Sequence, residues 1–295
     1  MDQGHLLNVI IAGLTSGAIY GLLAVSYNVI FATTGILNFA QGEFLMIGTV
    51  VGAFLVVTHG WAMLPAVVAT IALALLVGAL SERLAVRPAL SKGPNAFGWV
   101  LSTLGLSLVL RSGGALLTGN DIKAFPTIFG EGRWSIGAAF ITPTQVSIIL
   151  LLVVVGGGLW WMYGHTTIGH AFSAIAQDRD AAALRGIPVS TLGMASFAIG
   201  ASVAAIAGFM AAPLTSAYPT IGLLFALKGF IAAALGGIPD IRGAIVGGLL
   251  LGLIESFGVD IFGAGYKDAI VFAALILVLM VRPQGIFGQH SARRI

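Results

Sequence analysis

The sequence has no cysteine and very little charge: only 8% of its 295 residues are Asp, Glu, Lys or Arg. The first absence excludes disulfides and thiolate chemistry and leaves the compartment open. The second excludes a soluble domain of this size, in which about a quarter of the residues would carry charge. There is no GxxxxGK[ST] phosphate loop, which closes that route to ATP, and no HExxH or other metal-ligand cluster. His5, His59, His165, His170 and His290 fall at expected helix ends or outside the apolar runs, where histidine reads as interfacial polarity rather than catalysis. The pattern therefore offers no catalytic residue, no metal site and no cofactor motif. A net charge of +3 is no argument for nucleic acid, because topology accounts for the basic residues.

What is present is apolar length. The chain is 58% hydrophobic, with a mean hydropathy of +1.03, and it contains many runs long enough to cross a hydrocarbon core of about 30 Å as helices. The expected fold is all-α, a polytopic membrane helix bundle forming a single transmembrane domain over residues 1–295. The run from Leu6 to about Phe31 is too long for a signal-peptide core and follows no basic segment, so it reads as the first span. Nine helices are expected, over residues 7–30, 36–57, 62–82, 96–118, 143–163, 191–216, 219–237, 243–258 and 265–281. The seventh and eighth are short and Gly-rich, so one of them could be re-entrant and the count eight.

With the amino terminus outside and the carboxyl terminus inside, the inner loops carry Arg83, Arg87, Lys92, Arg179, Arg185, Arg242, Arg282, Arg293 and Arg294. The outer loops carry only Lys123, Arg133 and Lys267, a clear positive-inside bias. Arg111 and Lys228 are left within spans. Small residues recur at packing distance, Gly13, Gly17 and Gly21 in the first span and Gly243, Gly247, Gly248 and Gly252 in the eighth. Such ladders let helix backbones approach closely, either for general bundle packing or for a dimer seam.

Four places break the apolar pattern. The first is AIAQDRDAAALRGIPV, Ala174 to Val189, a polar island within a cytoplasmic segment of about residues 164–190. Its residues favour one helix over 174–184, ended by Gly186 and Pro188 and too short to span. Ile175 and Ala182 share one face, and Gln177, Asp178, Arg179 and Asp180 the other. The residues alone fit either a solvated connector or a protein-docking surface. The second place is NFAQGE, where Asn38, Gln41 and Glu43 open the second span; polar groups there either line a pathway or cap a helix near water. The third is GGIPDIRG, Gly236 to Gly243, a Gly/Pro break in the other half of the chain of the kind that marks discontinuous helices. An inverted pseudo-repeat is the hypothesis it raises. The fourth is a pair of intramembrane charges, Lys228 and Glu255, about 9 Å apart along the membrane normal, within reach of a snorkelling lysine. They are expected to pair, as a helix tie or as part of a substrate site. Outside these, the loop from Gly119 to Thr142 carries Asp121, Lys123, Glu131, Arg133 and Trp134.

The island, GILNFAQGEFLMIG at Gly35 to Gly48, GGIPDIRGAIVGGLLLGLIE at Gly236 to Glu255 and RPQGIFG at Arg282 to Gly288 together resemble the LivH-type permeases of branched-chain amino acid ABC transporters. The resemblance runs from about Leu6 to Gly288. It implies a bacterial inner-membrane permease subunit that moves branched-chain or other small apolar amino acids inward by alternating access. Urea, short amides or small aromatic acids are alternative cargoes. The implied partners are a second homologous permease, two cytoplasmic ATPases that use the ATP, a periplasmic binding protein docking on the outer loop, and the lipid bilayer. The resemblance makes Ala176, Gln177, Asp178, Arg179, Asp180, Ala183, Leu184 and Gly186 the ATPase-coupling surface. It puts a pathway or gate along Asn38, Phe39, Gln41, Gly42, Glu43, Gly236 and Gly237. The rivals are a self-sufficient channel or secondary transporter using Glu43, Lys228 or Glu255, and a membrane-embedded scaffold.

Overall fold

A computed structural model describes residues 3–90, 97–130, 132–282 and 284–288; Lys92, Glu131, Pro283, His290, Arg293 and Arg294 lie outside them. Helix α1 (Gln3–Thr34) is the axis of the bundle. Then come α2 (Gln41–Ala53), prolonged by a π-helical turn at Phe54–Thr58, and α3 (Met63–Ser81). A second π-helical turn, Glu82–Val86, leads to the short α4 (Arg87–Leu90). Helix α5 (Gly98–Thr118) precedes a hairpin of β1 (Trp134–Ile136) and β2 (Ala139–Ile141), with Ser135 opposite Phe140. The chain continues as α6 (Pro143–His165), α7 (Thr167–Gln177), α8 (Arg179–Leu184), α9 (Val189–Thr215), α10 (Ile221–Gly236), α11 (Ile241–Phe262) and α12 (Lys267–Val281).

Among the described residues eight helices are long and apolar enough to cross a membrane. The exception is α10, whose 16 residues reach about 24 Å. The eighth expected segment proves to be a full-length helix of 22 residues, so the shortness belongs to α10 alone. Burial sorts the helices into a core and a belt. In α1 and α2 72% of the apolar window is inside the bundle, against 17% in α5 and α6 and 11% around α12. The belt shows leucines outward, as at Leu64, Leu101 and Leu116, as a lipid-facing surface requires.

Glycine sets the packing of the core. Gly13 and Gly17 of α1 lie against Leu253 and Gly248 of α11, where an added Cβ would come within 3.0 Å of backbone. The two helices run antiparallel along this seam, with backbones touching. A second seam joins the first turns of α2 and α10, where Gly42 and Gly222 face each other with no room for a side chain on either.

The polar island is not one helix. Asp178 has an extended backbone (φ −158°, ψ 105°), and its carboxylate accepts from the Asp180 and Ala181 amides at 3.0 and 2.9 Å. The chain therefore turns between α7 and α8. An aspartate that can satisfy the free amides of a following turn competes with helix continuation, and helix-former composition hid this. At the other break the carbonyls ending α10 are met by the chain's own last described segment: the Ile286 and Phe287 amides donate to Leu235 and Gly236, each at 2.9 Å.

Candidate functional site

Four chain regions enclose a cavity of about 490 Å³. Helix α5 supplies Leu104, Ser107, Leu108 and Arg111, and α10 supplies Leu223, Ala226, Leu227 and Phe230. The spacing i, i+3, i+4, i+7 in both puts each set on one helix face. Tyr27 of α1 and the turn Leu37–Phe39 complete the wall. Phe39 is half exposed and stacks on Trp99, with ring centroids 6.2 Å apart.

Behind this wall the polar residues opening α2 are consumed in contacts. Asn38, 1% exposed, accepts from the Ala40 amide at 3.1 Å and donates to the Gln41 side chain at 3.1 Å. It shapes the turn, while the helix's actual cap, Ala40, has no capping side chain. Gln41 donates to the Ser26 hydroxyl of α1. Glu43, for which the sequence leaves open both a pathway role and a helix end within reach of water, is 2% exposed. Its Oε1 takes Arg111 Nη2 at 2.7 Å and the Ser107 hydroxyl at 2.9 Å. The sequence places Arg111 within a span and assigns it no partner. The signal that could have found it is the α5 stripe, which carries Ser107 and Arg111 on a face otherwise made of leucine.

Gly236 and Gly237 are not part of this cavity. Gly236 packs on Gly243, and Gly237 approaches Gln284 and Gly288. Their turn, with a cis bond at Ile238–Pro239, lies instead near the polar island. A cleft of about 280 Å³ there is bounded by the end of α1 (Phe31 to Gly35), by Ile175, Ala176, Gln177 and Arg179, and by Pro239. Asn28 of α1 donates to the Asp240 carbonyl at 2.7 Å. On the island itself Ile175 and Ala182 are buried and anchor the corner. Ala176, Gln177, Asp178, Arg179, Asp180, Ala183 and Gly186 are exposed. Leu184 is 90% exposed, an apolar knob on a polar corner.

Lys228 and Glu255 are brought together, Nζ to Oε2 at 3.0 Å. Three further groups join them: Lys267 reaches Glu255 Oε1 at 3.0 Å, Asp268 reaches Lys228 at 3.2 Å, and the Tyr20 hydroxyl donates to both Glu255 oxygens at 3.0 and 3.1 Å. At the same end of α1 His5 meets Asp260 at 2.7 Å, and the Phe140 amide of the hairpin donates to Asn8 at 3.1 Å. His59, His165 and His170 each bond a nearby backbone carbonyl. Among the described residues no group of three acidic or histidine side chains could hold a metal ion.

Residues 9–279 match the family model described as branched-chain amino acid transport system / permease component. The chain belongs to that family. Among its relatives, the permease is 36% identical to the branched-chain amino acid permease protein BraD of Pseudomonas aeruginosa, over 99% of this chain and 98% of that one. It is 33% identical to LivH of Escherichia coli K12 over the same shares. In fold the permease resembles the solved structure of PsaBC from Streptococcus pneumoniae, with a TM-score of 0.57 at 13% identity, covering 97% of this chain and 95% of that one. The permease is thus a multi-pass membrane protein with an ABC-permease fold.

Proposed function

We propose that this chain is the membrane-spanning permease subunit of a bacterial ABC importer for branched-chain or other small apolar amino acids. The observation that carries the reading is the family match over residues 9–279. The exposed α7–α8 corner supports it. The corner offers mixed charge and the Leu184 knob to a partner and abuts both the end of α1 and the turn at Pro239. Two cytoplasmic ATPases grip this corner, hydrolyse the ATP that the chain itself does not, and move α1 and the 236–240 turn as a unit. That motion opens a route past Asn38, Phe39 and the start of α2 alternately to each side of the membrane. A second homologous permease completes the route, and a periplasmic binding protein delivers cargo to the hairpin end. The amino terminus lies outside and the carboxyl terminus inside, consistent with the basic residues at the corner. The largely apolar cavity suits a cargo with a hydrocarbon side chain.

Affinity purification of the tagged chain in mild detergent tests the reading. ATPases and a second permease should co-purify, Arg179→Glu with Asp180→Lys should abolish their recovery, and uptake in liposomes should require ATP. Recovery of the chain alone, with gradient-driven transport by itself, refutes it and returns the intramembrane charges to the role of ion carriers.

A further inference from the structure

The two Arg–Glu pairs among the described residues are built differently. Arg87 and Glu82 form a closed fork, Nε to Oε1 at 3.0 Å and Nη2 to Oε2 at 2.6 Å, the bidentate geometry for which guanidinium and carboxylate are matched. Arg111 and Glu43 share only the Nη2–Oε1 contact. Arg111 Nε and Glu43 Oε2 are both buried, and neither has a hydrogen-bond partner. Leaving such groups unmet is expensive inside a protein. Something keeps this fork from closing: Glu43 is held by Ser107 on the same oxygen that Arg111 uses, and its other oxygen lies against Gly222.

Among the described residues Arg111 is also the only charged one lining the 490 Å³ cavity, whose remaining wall is mostly leucine and phenylalanine. The cavity falls within the usual range of small-ligand pockets, about 300–1,000 Å³. A planar cation with unused donor capacity, set in an apolar wall, recognises one kind of ligand well: a compact carboxylate carrying a hydrocarbon tail. We propose that Arg111 is a specificity-determining residue that binds the cargo's carboxylate in this cavity, while the α5 and α10 leucines take its side chain. The inference rests on the permease reading and extends it to an intramembrane site of discrimination within this chain. Glu43 acts as a positioning residue, holding the guanidinium by one oxygen at the cavity wall.

The test is equilibrium binding of tritiated leucine to the purified full-length chain, in whatever assembly co-purifies with it. Leucinamide, which lacks the carboxylate, and isovalerate, which lacks the amine, serve as competitors. The wild type should favour leucine over leucinamide by about tenfold or more, the scale of one charge-assisted hydrogen bond, and isovalerate should compete. Arg111→Lys, which keeps the charge but not the fork, should lower that ratio. Arg111→Gln alone would strand Glu43, so it is paired with Glu43→Gln; the double variant should bring the ratio to about one. Wild-type binding without preference for the carboxylate, or absent altogether, overturns the proposal, as does a double variant that keeps the wild-type ratio. These outcomes leave the permease reading standing, because that reading is judged by partner recovery and ATP-dependent uptake.

Discussion

Two of the permease's buried charge centres, around Glu255 and around Glu43, differ in how completely they are satisfied. Around Glu255 both carboxylate oxygens are taken, by Lys228, Lys267 and Tyr20, and Lys228 has a second anion in Asp268. Around Glu43 a single oxygen carries both contacts and two buried atoms have none. Burying charge in a bundle is tolerable when each partner is matched and hydrogen-bonded. The first centre meets that standard and reads as a tie joining α1, α10, α11 and α12. The second does not, and it alone borders the 490 Å³ cavity. Incomplete pairing, rather than charge itself, separates a site from a strut.

The contrast can be broken at its strongest point first. Glu255→Ala would leave the buried Lys228 with only the exposed Asp268 as counter-ion, at an expected loss of about 3 kcal/mol. It should show as a sharp fall in detergent thermal stability and yield, partly restored when Lys228→Met is added. Gly222→Ala presses on the open centre instead. Its Cβ would stand 2.7 Å from Glu43 Oε2 and close to the Gly42 backbone, an overpacking of about 1–3 kcal/mol. Uptake should drop more than thermal stability does, and equal losses would mean that the α2–α10 seam is merely structural. Ser107→Ala removes one hydrogen bond to Glu43, worth about 1 kcal/mol. Because it frees Oε1 for Arg111, the variant should fold normally and move leucine affinity by only a few-fold. An unchanged affinity would show that Ser107 has no part in holding the fork open.

Much of this organisation was legible in the sequence. Rare charges in long apolar runs must find one another, so Lys228 and Glu255 could be matched by axial height alone. The island was conspicuous for the same reason. Contacts set by tertiary approach were not legible. Nothing in α2 announces that Glu43 will meet Arg111 of α5, since their meeting depends on how α2 crosses α5, where Gly114 lies against Met46. The bend at Asp178 was hidden by neighbours that all favour helix, and the placement of Gly236 and Gly237 beside the island rather than the cavity follows from which end of α10 they terminate. Periodicity gives the face a residue occupies; it does not give the neighbour that face will meet.

The bonds from Ile286 and Phe287 to the end of α10 impose an order on how the protein is made. The last carbonyls of this innermost short helix gain those partners only after all of α11 and α12 has been synthesised. A chain interrupted before that point leaves those two carbonyls without these partners, so the end of α10 is closed only by residues that follow α12.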